Sequence, residues 1–180
     1  MKDWNAIVCV YQESFRRALR ALQEFGSVER SPFYNVLVMK VEDPAALLKA
    51  IEERAKEHPA LYDAISRIAP AMLGFDFDSA DDFLEKAKSI VIEWAPQLAW
   101  NSFHVRFHRR GAACDLPTPD VERSLDNALL ETLRGVGTPG SVSFSDPDAV
   151  IAIDTIDNRA GMGLWRRADL ERHRLLLRPD

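Results

Sequence analysis

The sequence predicts an α+β protein built as two small domains. Three observations carry that prediction. Short runs rich in β-branched residues alternate with amphipathic stretches at helical spacing. The 180 residues are 47% apolar and 28% charged, an ordinary globular balance that argues against wholesale disorder. The pattern also restarts near residues 70–78, where an acidic, Ser-containing stretch follows an apolar run.

The first half reads as follows. "NAIVCVY" (5–11) is a strand. "ESFRRALRALQEFG" is a helix, with Phe15, Ala18, Leu19, Leu22 and Phe25 on one face and Gly26 as its stop. "YNVLVMKV" (34–41) is a second strand. "DPAALLKAIEERAKEH" opens with Asp43 as N-cap and Pro44 at the first helical position, and Pro59 interrupts it. "LYDAISRIA" extends the helical pattern through Leu61, Ile65 and Ile68. "AMLGFDF" (71–77) then reads as the strand that closes the small sheet. The order β-α-β-(β)-α suits a ferredoxin-like arrangement, with helices on one face of a sheet.

In the second half, "DSADDFLEKAKSIVIEWAP" is a helix capped by Asp78 or Ser79, with acids in its first turn and Pro96 as its break. Trp94 and Trp100 flank that proline and read as packing residues. In "SFHVRFHRRG" (102–111), Phe103, Val105 and Phe107 alternate with His104, Arg106 and His108, which predicts a strand with one apolar and one cationic face. "TPDVERSLDNALLETLRGVG" is the clearest helix: Thr118 caps it, Pro119 sits at its first position, and Val121, Leu125, Ala128, Leu129 and Leu133 form its buried stripe. "DAVIAIDTI" is a strand covered on both faces, "DNRAG" is a turn, and "MGLWRR" returns as its hairpin partner.

Charge is distributed unevenly. The net charge is −5, which counts against non-specific nucleic-acid binding without excluding a local patch, because salt screens charges beyond about 8–10 Å. Residues 101–114 carry Arg106, Arg109 and Arg110 and no acid. The stretch from Arg159 to Arg178 carries Arg159, Arg166, Arg167, Arg172, Arg174 and Arg178 against Asp169 and Glu171. The planar guanidinium fork suits phosphate, so two arginine-rich segments predict a phosphate-facing surface. Trp165, beside Arg166 and Arg167, is a candidate stacking residue.

Four segments in order, "FDFDSADDFLEKAKSIVIEW", "SFHVRFHRRG", "TPDVERSLDNALLETL" and "SDPDAVIAIDTIDNRAGMGL", resemble the THUMP domain over roughly residues 71–165. The resemblance implies an N-terminal ferredoxin-like domain over residues 1–72, followed by a THUMP α/β domain with a mixed sheet over 73–180. It also implies binding of tRNA at the acceptor stem and 3′ end. By position it points to Lys86, Lys88, His104, Arg106, His108, Arg109, Arg110, Trp165, Arg166 and Arg167 as the RNA-facing set. Within the family the layout is most similar to non-catalytic members that present tRNA to a separate enzyme such as a cytidine acetyltransferase.

No catalytic constellation is expected. "GVGTPG" (135–140) follows a helix and lacks the Lys-Ser/Thr of a phosphate-binding loop. His104 and His108 lie about 13 Å apart along one strand, too far to share a metal. Cys114 reads as an inert loop thiol despite its basic neighbours. The expectation is therefore a non-enzymatic adaptor with no cofactor or metal. Two isolated cysteines, no signal-peptide pattern and no membrane-spanning run place it in the cytoplasm. The alternative from another class is a protein-interaction or small-ligand module whose basic strand meets an acidic partner.

Overall fold

The structure, a computed structural model, describes residues 1–176, so Arg178 of the arginine-rich tail lies outside the described residues. The chain divides into two compact units. The first is Met1–Gly74 with the segment that begins at Asp169, and the second is Phe75–Ala168.

The first unit runs β1 (Ala6–Val10), α1 (Phe15–Leu22), β2 (Ser27–Arg30), β3 (Val36–Lys40), α2 (Pro44–Glu57), a single-turn α3 (Pro59–Tyr62) and β4 (Ile65–Pro70). The sheet order is β2-β3-β1-β4, and every neighbouring pair is antiparallel. Ala18 and Leu22 of α1, and Leu47, Leu48, Ile51 and Ala55 of α2, supply the buried helix faces. Asp43 caps α2 as expected: its carboxylate accepts from the Ala45 and Ala46 N–H groups at 2.9 and 3.1 Å.

Two assignments differ from the sequence reading. Residues 61–69 are not one helix; after a single turn the chain becomes β4, which pairs with β1. Ile65 and Ile68 fit a helical stripe, but five of the six β4 residues are buried, and an amphipathic helix buries only one face. β4 therefore closes the sheet, and residues 73–76 join the second sheet instead. The second difference is β2, three of whose four residues are exposed. An edge strand without an apolar face leaves no period-2 signal to read.

The sequence grouped everything after residue 72; the fold instead returns the chain to the first unit at Asp169. Ile68 N–H donates to the Leu175 carbonyl at 2.8 Å, and His173 Nδ1 lies 2.9 Å from a Glu52 carboxylate oxygen. Leu175 and Leu176 are buried there, along the otherwise open edge of β4. Adjacent leucines at 175 and 176 need a core, and an uncovered edge strand needs partners.

The second unit contains β5 (Leu73–Asp76, which begins at the boundary), α4 (Ala80–Trp94), a 3-10 turn (Ala95–Leu98), β6 (Ser102–His108), α5 (Thr118–Gly135), β7 (Ser141–Val142), β8 (Ala149–Ile156) and β9 (Arg159–Arg166). A short α6 (Arg167–Arg172) follows. The order is β5-β9-β8-β6-β7. β6 is parallel to β7 and β8, while β8 and β9 form an antiparallel hairpin, so the sheet is mixed. All eight β8 residues are buried, as its apolar run predicts.

Phe83 packs 5.2 Å from both the Phe77 and Phe107 rings, joining α4 to β6. Val121, Leu125, Leu129 and Leu133 of α5 complete the core. Ser79 caps α4 by accepting from Asp82 N–H at 3.1 Å, and the Asp82 carboxylate reaches back to Asp78 N–H at 2.9 Å. Thr118 does not cap α5. The first turn closes on the Pro117 carbonyl, which accepts from Asp120 and Val121 at 3.0 and 3.2 Å. Trp100 is not packed: it is 70% exposed on a left-handed backbone (φ 63°) between the 3-10 turn and β6.

Candidate nucleic-acid interface

β6 decides how much of the predicted cationic surface exists. Phe103, Val105 and Phe107 enter the core as the alternation requires. The opposite side of the strand is not uniformly open. His104 is buried: its Nδ1 lies 3.2 Å from Asp126 Oδ2, and its ring meets Phe144 edge-on with centroids 4.7 Å apart. It is an internal group, not a surface contact.

The cause lies in the edge of β6. β7 pairs only with Ser102 and Phe103, so the rest of that edge has unpaired backbone donors. Two carboxylates one turn apart on α5 supply the acceptors. Asp126 takes Val105 N–H and Glu122 takes Phe107 N–H, each at 2.9 Å. Sequence reasoning missed this pair. The available signal was their i, i+4 spacing beside the apolar stripe of α5.

Arg106 is exposed and makes no hydrogen bond or ion pair among the described residues. In register it stands opposite Ala152 of β8, a neighbour too small to cover it. His108 is half-buried and stands opposite Asp154. Arg109 is exposed and braces the following loop through the Cys114 and Leu116 carbonyls at 2.9 and 3.3 Å, with Asp115 at 3.6 Å.

Arg110 departs most from expectation. It is buried, and its guanidinium meets the equally buried Asp154 at 2.9 Å. Its N–H donates to Thr155 Oγ1 at 3.2 Å, and its carbonyl accepts from Asp157 N–H at 2.9 Å. Gly111 has φ 102°, and a Cβ there would meet Asp157 Oδ1 at 2.7 Å, so only glycine lets the loop lie against the β8–β9 turn. Arg110 anchors the segment that carries Arg106 and Arg109.

Of the other predicted cations, Lys86 and Arg167 are held by acids. Lys86 Nζ bonds Asp82 at 2.8 Å and the Asp76 carbonyl at 2.9 Å, and Asp82 raises its pKa. Lys88 is half-buried and has no ion pair among the described residues. Arg166 donates to the Gln97 carbonyl. Arg167 bridges Asp146 and Asp148. Asp148 also accepts from the Ser102 hydroxyl and N–H, and these two bonds, with Arg167, lower its pKa from 3.8 to about 2. Trp165 is buried, with no acceptor for its indole N–H among the described residues, so it offers no stacking face. The ten predicted residues do not form one shelf: Arg106 and Arg109 keep outward-facing charge on β6 and its exit, with Lys88 on α4.

Cys114 is buried, and burial raises its pKa, overriding the opposing effects of the Leu116 backbone hydrogen bond and of Arg109. Among the described residues no group of three His, Cys, Asp or Glu side chains can hold a metal ion, and no helix is long and apolar enough to cross a membrane.

Comparison with known proteins places this unit. The family model described as "THUMP domain" matches residues 77–164. No curated protein matches the sequence. Solved structures share the fold. The chain superposes on PH1313 from Pyrococcus horikoshii Ot3 with a TM-score of 0.59 at 15% identity, covering 89% of this chain and 54% of that one. With TrmN from Thermus thermophilus the TM-score is 0.59 at 20% identity, covering 89% and 44%. With a 4-thiouridine synthetase, solved in complex with RNA and bound ATP, it is 0.55 at 16% identity, covering 91% and 42%. The chain thus spans about half the length of these structures, or less. The matching family model, the mixed five-stranded sheet and the shared fold agree: residues 77–164 form a THUMP domain.

Proposed function

We propose that this chain binds tRNA through its THUMP domain and presents it to a separate RNA-modifying enzyme. The observation that carries the reading is the THUMP match across residues 77–164, which contains the exposed, unpaired Arg106 on β6. The fold shared with a synthetase solved in complex with RNA supports the ligand class. The RNA-facing charge is Arg106 and Arg109, held in place by the Arg110–Asp154 pair. A rigid strand carrying guanidinium groups suits duplex RNA, which proteins contact mainly through phosphates, 2′-hydroxyls and shape. The βαββαβ order of the first unit supports a ferredoxin-like companion domain. The adaptor role rests on the motif layout seen in the sequence.

Titration of labelled tRNA over a range of salt concentrations tests the reading. Arg106→Ala combined with Arg109→Ala should weaken binding and reduce the salt slope by about one for each phosphate that is no longer neutralised, and Arg106→Ala alone should do so with an unchanged Tm. Equal affinity for tRNA and for random DNA would count decisively against it.

A second reading draws on the charge pairing. Lys86, Arg159 and Arg167 each close onto a carboxylate, which leaves a charge-balanced surface suited to a protein partner. Partner capture that survives nuclease treatment would favour it.

A further inference from the structure

The first unit carries a second cluster of exposed cations, together with exposed aromatic rings. Tyr11 leaves β1 and is 51% exposed; Tyr34 lies on the β2–β3 connection and is 71% exposed. The two connections meet at one end of the sheet, where Val10 N–H donates to the Asn35 carbonyl at 3.0 Å. Asn35 holds a left-handed backbone (φ 58°) and fixes the turn that presents Tyr34. Two exposed tyrosines at one end of a sheet offer open ring faces on which a base can stack.

Arginines surround this end. Arg16, Arg17 and Arg20 are exposed on α1, which a 3-10 turn (Gln12–Ser14) joins to Tyr11, and Arg30 of β2 lies over the Phe15 ring at 4.8 Å. Among the described residues Arg17 bonds the Ser14 hydroxyl, at 2.8 Å, and Arg16 and Arg20 make no ion pair. They sit at i and i+4, on one stripe of the helix. Glu13 and Asp63 are the acids nearest this end in sequence, and neither pairs with these arginines. Among the described residues no carboxylate neutralises Arg16, Arg17 or Arg20.

We infer that this end of the first unit is a binding site for single-stranded RNA. Tyr11 and Tyr34 stack unpaired bases, and Arg16 and Arg20 track the adjoining phosphates. Aromatic faces flanked by guanidinium groups bind single strands with little base preference, because every base has a π-face and every linkage a charge. The identification of RNA as the polyanion rests on the function proposed above; the site itself rests on the tyrosines and arginines.

Fluorescence anisotropy of a short, unstructured, labelled RNA with the full chain tests it. Tyr11→Ala with Tyr34→Ala should weaken binding about tenfold for each stack removed, and the corresponding Tyr→Phe variants should restore it. Arg16→Ala with Arg20→Ala should lower the salt slope by about 1.4, the value for two phosphates on a single strand. Lys49→Ala, an exposed cation on α2 away from this end, should leave binding of the oligonucleotide unchanged. Unchanged affinity in the double tyrosine variant would overturn the site. So would inorganic polyphosphate competing as well as RNA of equal charge, which would mark a charge-only surface. A chain that binds tRNA but not the oligonucleotide sinks this inference alone; one that binds neither sinks the proposed function as well.

Discussion

Arg106 and Arg110 are four residues apart and look alike in the sequence, yet the fold gives them opposite roles. Arg110 turns inward to Asp154, a partner 44 positions away that no local pattern announces. Breaking a buried pair leaves an uncompensated charge, so Asp154→Asn should destabilise the protein by about 3–5 kcal/mol. Replacing both partners together, Arg110→Met with Asp154→Leu, should recover much of that loss; urea unfolding of the three variants checks it. Asp148 makes a pH-dependent prediction. Its carboxyl is held at about 2, below the ordinary 3.8, by Ser102 and Arg167. A depressed folded pKa contributes stability that is complete above about pH 4 and is lost as pH falls towards 2. Asp148→Asn should therefore be less stable than wild type at neutral pH, and the difference should shrink across pH 4 to 2 in acid-unfolding curves. Alternation along β6 was legible; which basic residues would find carboxylates was not, because that depends on register between distant strands.

Among elements, the helices and central strands were readable because burial imposes a period. α4, α5, β6 and β8 each show one, and their caps or breaks mark most of their ends. β2 and β7 were not readable: two exposed edge strands, one of them two residues long, carry no apolar alternation. β4 was misread because Ile65 and Ile68 satisfy a helical spacing, and only pairing with β1 decides between the two. The interplay of α5 with the β6 edge is the element-level feature with the clearest consequence. Asp126 satisfies a buried donor that would otherwise have none. Asp126→Ala should cost about 1–3 kcal/mol, the penalty of an orphaned Val105 N–H. Arg123→Ala, on the exposed side of the same helix, should change stability by less than about 0.5 kcal/mol. Thermal or urea denaturation distinguishes them.

For the whole molecule, a net charge of −5 and a role in binding a polyanion are compatible because the charges sort locally. In the second unit many arginines are held by acids, and Arg106 and Arg109 remain turned outward on one strand and its exit. In the first unit Arg16 and Arg20 have no ion pair among the described residues, and Tyr11 and Tyr34 are exposed, features that sequence reading passed over because "FRRALRAL" registers first as an amphipathic helix. The most direct measurement is the affinity of the full chain for an RNA acceptor-stem hairpin and for a DNA hairpin of the same sequence, at about 0.15 M salt. Recognition through A-form shape and 2′-hydroxyls predicts clear preference for the RNA, diminished when Arg106 and Arg109 are replaced by alanine. Equal binding of the two hairpins, or an RNA preference untouched by those substitutions, would contradict it.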